Sequence, residues 1–310
     1  MSRTIAVIGA TGNQGRGVVA SLLSTTDVSV RAITRDTTSD QAKALGTDAR
    51  LSLVQADLDD VESLKKALEG VQGVFGMTTA GPTEVQQGRN LVDAVKAAGV
   101  EHFVFSGLPS IAQASAGRFQ GVFHFDMKSA VEQYAKEQLT NVTVVVPGVF
   151  YGDLARPFYT QRQADGSVRF CLPSNNPQPA VGWLDASDVG VYVAAIFSKP
   201  LSLTSGKTYP AMTSSPGPLA DFAATYAAKT GDKVVLEPVT RDEVAAALAG
   251  LPGGEMIATA AFDMFDYLDT TAPGTTCYGT MQASEDPTAA DLGVKATSFE
   301  AWLEKTGWKA

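Results

Sequence analysis

A chain of 310 residues, 45% hydrophobic and 18% charged, carries enough apolar material for a sizeable core, which excludes disorder and collagen-like architecture. Its 24 basic residues against 33 acidic ones give a net charge of -9, a balance that argues against unaided contact with nucleic acid. Cys171 and Cys277 stand far apart without metal-ligand spacing, with only His102 and His124 beside them, so neither a metal site nor a disulfide framework is expected.

The N-terminus runs directly into Thr4-Ile5-Ala6-Val7-Ile8, with no signal-peptide pattern ahead of it, and no later apolar run is long enough to span a bilayer. A cytoplasmic or nuclear protein with no membrane partner is therefore expected. Strands are expected at 5–8, 28–33, 51–55, 73–77, 102–106 and 143–146, apolar on both faces as strands covered by helices must be. Between them, 15–24, 38–45, 61–68, 84–98 and 127–138 carry apolar residues at helical spacing. In the fourth, Leu91, Val92, Val95 and Ala98 form one core-facing stripe, with Asp93 and Lys96 off it.

After Val146 the pattern changes to loop-rich chain marked by Pro147, Pro157, Pro173, Pro177 and Pro179, around a hairpin expected at Asp165-Gly166. A helix is expected at 186–197, with Asp185 and Asp188 at its front, where acids are favoured. A strand at 207–212, a helix at 218–229, a strand at 233–238 and a helix at 241–248 suggest a second, smaller unit. Thr297-Ser298-Phe299-Glu300 resembles a capping box opening a last helix through Leu303. The fold expected is α/β: a doubly wound parallel sheet over 1–150, with 181–200 returning to it, and a smaller α+β domain from 151–180 and 201–310 that holds substrate or partner.

The first strand ends in Gly9-Ala10-Thr11-Gly12-Asn13-Gln14-Gly15. Gly9 permits a tight turn, Gly12 lets backbone approach a diphosphate, and Gly15 lets the helix pack closely on the sheet while its first amides face the anion. The G-x-x-G-x-x-G spacing resembles that of extended and atypical short-chain dehydrogenase/reductases. Where an NAD enzyme would carry an acid at the end of the second strand, Arg35 stands, suited to a 2′-phosphate; NADP(H) is therefore the cofactor expected. Asp36 beside it is able to take the acidic role instead, and Arg35 is then a solvated charge.

With the glycine loop, Arg35 and Gln55-Ala56-Asp57-Leu58-Asp59-Asp60 in view, the segment His124-Phe125-Asp126-Met127-Lys128-Ser129-Ala130-Val131-Glu132 is similar to the H-F-x-x-K-x-x-V-E stretch of the NmrA-like family, an atypical branch of that superfamily. The resemblance continues through Thr143-Val144-Val145-Val146-Pro147-Gly148-Val149-Phe150 to Thr297–Leu303 and so covers essentially the whole chain. It implies that Thr11, Gly12, Asn13 and Gln14 cradle the diphosphate, Arg35 the adenosine phosphate, and Asp57 and Leu58 the adenine edge. It further implies that Thr78 and Thr79 line the central ribose, Lys128 reaches the nicotinamide ribose, and Pro147, Val149 and Phe150 flank the nicotinamide amide. Asp57 as a turn acid, and Thr78 and Thr79 as a plain strand end, are the structural alternatives.

Reductases of the wider superfamily use a Tyr-x-x-x-Lys pair, and His124 occupies the tyrosine position here. An imidazole can donate a proton, so His124 with Lys128 is the candidate acid pair, although a neighbouring ammonium depresses the imidazole and weakens it as a donor. Ser106, at the end of the fifth strand, is expected to hydrogen-bond substrate or to cap a turn. His102, ahead of an apolar strand, is expected to be a structural surface residue. Phe119, Phe123, Phe150, Tyr151, Phe158, Tyr159, Phe262, Met264, Phe265 and Tyr267 are either interdomain core or the wall of a flat apolar site, with Phe123, Tyr151, Phe158 and Phe265 the candidates for substrate contact. Two functions follow: an NADPH-dependent reductase of a carbonyl, enone, imine or quinone-like small molecule, or a non-catalytic NADP(H) sensor that regulates a protein partner.

Overall fold

The computed structural model describes residues 3–172, 182–213 and 219–310. Seven parallel strands form its central sheet: β1 (Thr4–Ile8), β2 (Ser29–Thr34), β3 (Leu51–Gln55), β4 (Gly73–Gly76), β5 (His102–Ser106), β6 (Val142–Pro147) and β7 (Thr208–Ala211). Their order is β7-β6-β5-β4-β1-β2-β3. The chain therefore reverses direction across the sheet between β1 and β4, and that switch point opens a crevice at the carboxyl ends of the strands.

Alternation along each strand explains why helices cover both faces. Ile5 and Val7 of β1, Phe75 of β4 and Val145 of β6 pack with Val18, Val19 and Leu22 of α1 (Asn13–Thr25). The adjacent residues Ala6, Ile8, Val74 and Val144 point the other way, into a core shared with Leu64 of α2 (Val61–Ala67), Leu91 and Val95 of α3 (Glu84–Ala97) and Val131 of α4 (Phe123–Gln138). On the first face α1 lies against α5 (Val189–Ser198), and the approach is close enough that a Cβ on Gly190 would sit 2.1 Å from the Gly17 carbonyl oxygen.

The remaining chain builds a smaller layer beyond the sheet. Thr160–Arg162 and Val168–Leu172 pair antiparallel around the expected turn, and Val234–Pro238 adds in parallel. Helix α6 (Leu219–Thr230) packs on Val168–Leu172 and Val234–Pro238, α8 (Phe299–Thr306) packs on α6, and Phe265 of α7 (Gly254–Leu268) meets Phe158 and Tyr159. Among the described residues no helix is long and apolar enough to cross a membrane.

The six sheet strands expected in the first half are all present, with ends shifted by a residue or so. Four expectations are corrected. The strand read at 207–212 as part of the second unit is β7, the edge strand of the main sheet, paired Thr208 to Val144; a short strand carries no mark of its partner. Helix α4 begins at Phe123, four residues ahead of the periodic stretch, because Val122 at its N-cap gives no side-chain cap to read. The helix at 38–45 contracts to Asp40–Lys43, opened by a Ser39 cap and followed by Gly46 at φ 95°. Helix α8 is capped by Ser298, which accepts from the Ala301 amide, while Glu300 pairs with Lys229, so the expected box does not form. Pro173, Pro177, Pro179 and Pro218 lie outside the described residues.

Candidate functional site

The glycine-rich turn is built by close backbone approach. Gly9 sits at φ 65°, the Gly12 amide donates to the Gly9 carbonyl at 2.9 Å, and a Cβ on Gly15 would lie 2.1 Å from that same oxygen. Gly12 is the N-cap of α1 and offers no side chain, and the amides of Asn13, Gln14 and Gly15 have no acceptor among the described residues. Three free N–H groups at a helix start form a nest for an anion, which is what a diphosphate requires. Ser106 is buried, and its hydroxyl donates to Gln14 Oε1 at 2.7 Å. This bond ties the end of β5, and with it Ser106, to the glycine turn.

Arg35 stands exposed at the end of β2. With Arg31, Gln55, Ala56, Asp57, Ser63 and Lys66 it lines an open groove of about 800 Å³ over the β2 and β3 ends. Asp36 turns away from that groove: its Oδ1 accepts from the Thr38 amide at 2.8 Å and the Thr38 hydroxyl at 2.7 Å, and these bonds hold its carboxyl below the usual carboxylate range. The acid that would compete with a 2′-phosphate is thus engaged in its own turn. Asp57 also serves a turn, accepting from the Asp59 amide at 3.0 Å, yet it remains on the groove wall. Leu58 is half-buried and gives its carbonyl to Asn90.

Across the switch point Lys128 and Thr78 meet in a polar cluster with Glu84, a residue that sequence reasoning missed. Lys128 Nζ donates to Glu84 Oε1 at 2.5 Å and to the Thr78 carbonyl at 2.8 Å, and the Thr78 hydroxyl donates to the same Glu84 oxygen at 2.6 Å. The Glu84 side chain is 0% exposed and that of Lys128 13% exposed. Lys128 and Thr78 therefore face Glu84, while Thr79, one residue on, is exposed at the mouth of the crevice. Glu84 opens an amphipathic helix, where an acid is ordinarily a solvated first-turn residue. Its partner lies 44 residues downstream, so no local signal marks it.

His124 occupies the first turn of α4, half-buried between the rings of Phe123 and Phe125 at 5.5 and 4.9 Å. Burial first, then the Lys128 ammonium and Arg156, push its imidazole down to about 4, with Asp126 opposing. His102 is a structural histidine, as expected, but it is buried in the sheet, not at the surface. Its Nε2 lies 2.8 Å from the Thr143 hydroxyl.

Pro147 ends β6, and its carbonyl accepts from the hydroxyl of Tyr278, a second residue that sequence reasoning missed. Val149 and Phe150 follow, half-buried and paired with Trp183 and Leu184. Of the four candidates for substrate contact only Phe123 keeps partial exposure, as Phe150 does in the wider aromatic set. Tyr151, Phe158 and Phe265 are buried at 1, 5 and 3% exposure and belong to the core. Tyr151 stacks on Trp183 and donates to the Thr297 carbonyl at 2.9 Å, and Phe158 meets Phe265 edge-on at 6.0 Å.

A model of the NmrA-like family matches residues 1–303. The chain belongs to the NmrA-like family. It is 30% identical over 319 residues to FrzB, an NmrA-like family domain-containing oxidoreductase of Cladobotryum sp, an alignment that covers 94% of this chain and 90% of that protein. Among solved structures it resembles NmrA, a negative transcriptional regulator in complex with NAD, with a TM-score of 0.75 at 21% identity over 100% of this chain and 93% of that one. The NADPH-dependent quinone oxidoreductase QOR2 of Escherichia coli, complexed with NADPH, gives a TM-score of 0.73 at 22% identity over 98% and 100%. At these identities the two structures establish the fold, a doubly wound sheet of Rossmann type.

Proposed function

We propose that this NmrA-like chain is an NADPH-dependent reductase of a small, flat, electrophilic acceptor of the quinone or enone type. The observation that carries the reading is the row of free amides at Asn13, Gln14 and Gly15, opening on the same end of the sheet as Arg35. Those amides, with Thr11 and Gly12, would hold the diphosphate. Arg35 would meet the 2′-phosphate, Asp57 and Leu58 the adenine edge, Thr79 the central ribose, and Pro147, Val149 and Phe150 the nicotinamide amide. Bound NADPH would supply the hydride. Lys128, saturated by Glu84 and Thr78, orders the strand end beneath the ribose and reaches it only by exchanging one of these bonds.

The choice of acceptor follows from the acid that this site lacks. His124 is neutral at pH 7, and a neutral imidazole is a weak proton donor. Unactivated ketones need a proton as the hydride arrives; quinones and enones accept the hydride first, and the resulting oxyanion takes its proton afterwards from water. Phe123 and Phe150, partly exposed, would supply the apolar wall.

Oxidation of NADPH against a panel of ketones, enones, imines and quinones tests this. Turnover is expected with quinones or enones, and His124→Phe should leave the quinone rate unchanged, since a neutral imidazole is not the acid of the reaction. Ketones as the fastest substrates would contradict the reading. NADPH binding without turnover across the panel would establish the second reading, a nucleotide sensor acting on a protein partner, which the neutral His124 and the engaged Lys128 also support.

A further inference from the structure

Cys277, Tyr278 and Gly279 follow one another at φ 50°, 57° and 82°, all in the left-handed region. Glycine enters this region freely, but a run that includes two side-chain-bearing residues is sterically costly and persists only where its surroundings hold it. Three contacts hold Tyr278. The Tyr267 hydroxyl donates to its carbonyl at 2.8 Å, its ring meets Phe125 of α4 edge-on at 4.7 Å, and its own hydroxyl donates to the Pro147 carbonyl at 2.9 Å. Tyr278 is 3% exposed, so this last bond is shielded from water.

We propose that Tyr278 is a positioning residue for the nicotinamide half of the cofactor, acting through Pro147. The inference rests on the nucleotide reading above. If the adenosine end lies on the β2 and β3 ends, a dinucleotide that crosses the switch point lays its other half over the ends of β4, β5 and β6. Pro147 is the last residue of β6, and Gly148 beyond it is hemmed in: a Cβ there would sit 2.3 Å from the Gly182 carbonyl oxygen. Tyr278 fixes the one carbonyl from which the turn Gly148-Val149-Phe150 departs. The strained backbone is what lets a residue of the outer layer reach it, joining that layer to the nicotinamide end and leaving the adenosine end untouched.

Calorimetry with two ligands separates this role from general stability: NADPH, and adenosine 2′,5′-bisphosphate, which carries the adenosine end without a nicotinamide. Tyr278→Phe removes only the hydroxyl and should weaken NADPH by about 5- to 10-fold, the loss of one buried hydrogen bond, while the bisphosphate stays within about twofold. Equal losses for both ligands, or unchanged NADPH affinity, overturn the proposal. If Tyr278→Phe does not fold, Tyr267→Phe, which frees the same turn from behind, is read by the same ratio: selective loss of NADPH affinity supports the proposal and parallel loss overturns it. Wild-type protein that binds neither ligand overturns the nucleotide reading and this inference with it.

Discussion

At the scale of single residues, the two histidines show how little a side chain's environment is written in its neighbours. His102 opens β5, and its position ahead of an apolar strand suggested a surface site. Instead it is enclosed against Phe197 at 5.2 Å and bonded to Thr143, which in turn donates to the Thr204 carbonyl. Burial, reinforced by Arg3, pushes His102 down to about 4, and His124 falls to about 4 as well. The unfolded chain, with imidazoles near 6.5, takes up protons that the folded chain refuses between about pH 6.5 and 4. The stability contributed by neutral burial is therefore complete above pH 6.5 and lost as the pH falls through that window. Thermal melts should show a falling Tm over this range and a shallower fall for His102→Gln, which keeps a polar partner for Thr143 without a titrating ring. Identical slopes for the two proteins would mean that His102 is not the group responsible.

At the scale of elements, the Glu84 and Lys128 pair joins the start of α3 to the middle of α4, with Thr78 binding both to the end of β4. The helices themselves were legible, because their apolar stripes are periodic; the pair was not, because Lys128 stood out only as a motif lysine and Glu84 reads locally as an ordinary first-turn acid on an amphipathic helix. Glu84 Oε2 is buried and has no hydrogen-bond partner among the described residues, so Lys128 carries nearly the whole burden of compensating that charge. Lys128→Met should destabilise the protein by about 3–5 kcal/mol by leaving a buried carboxylate unpaired, and Glu84→Gln in the same chain should restore most of the loss. Urea unfolding of both single variants and the double variant measures this, and additive losses would show that the two residues are not coupled.

At the scale of the molecule, the doubly wound sheet could be read from the alternation of strands and helices, and the glycine turn from its position between β1 and α1. What could not be read was long-range partnership: β7 crossing into the main sheet, Tyr278 reaching Pro147, and aromatic residues such as Tyr151, Phe158 and Phe265 closing on one another as core where a substrate wall had been considered. Each depends on pairing across more than 60 residues or on packing that composition does not encode. The central claim is that this NmrA-like chain binds NADP(H) with Arg35 on the 2′-phosphate, and it is tested most directly by calorimetry of NADPH and NADH on the wild type and on Arg35→Ala. The wild type should prefer NADPH, and the variant should lose about tenfold or more in NADPH affinity, the worth of one charge-assisted contact, with NADH changed by no more than about twofold. Equal loss for the two nucleotides, or no loss for either, would contradict the account.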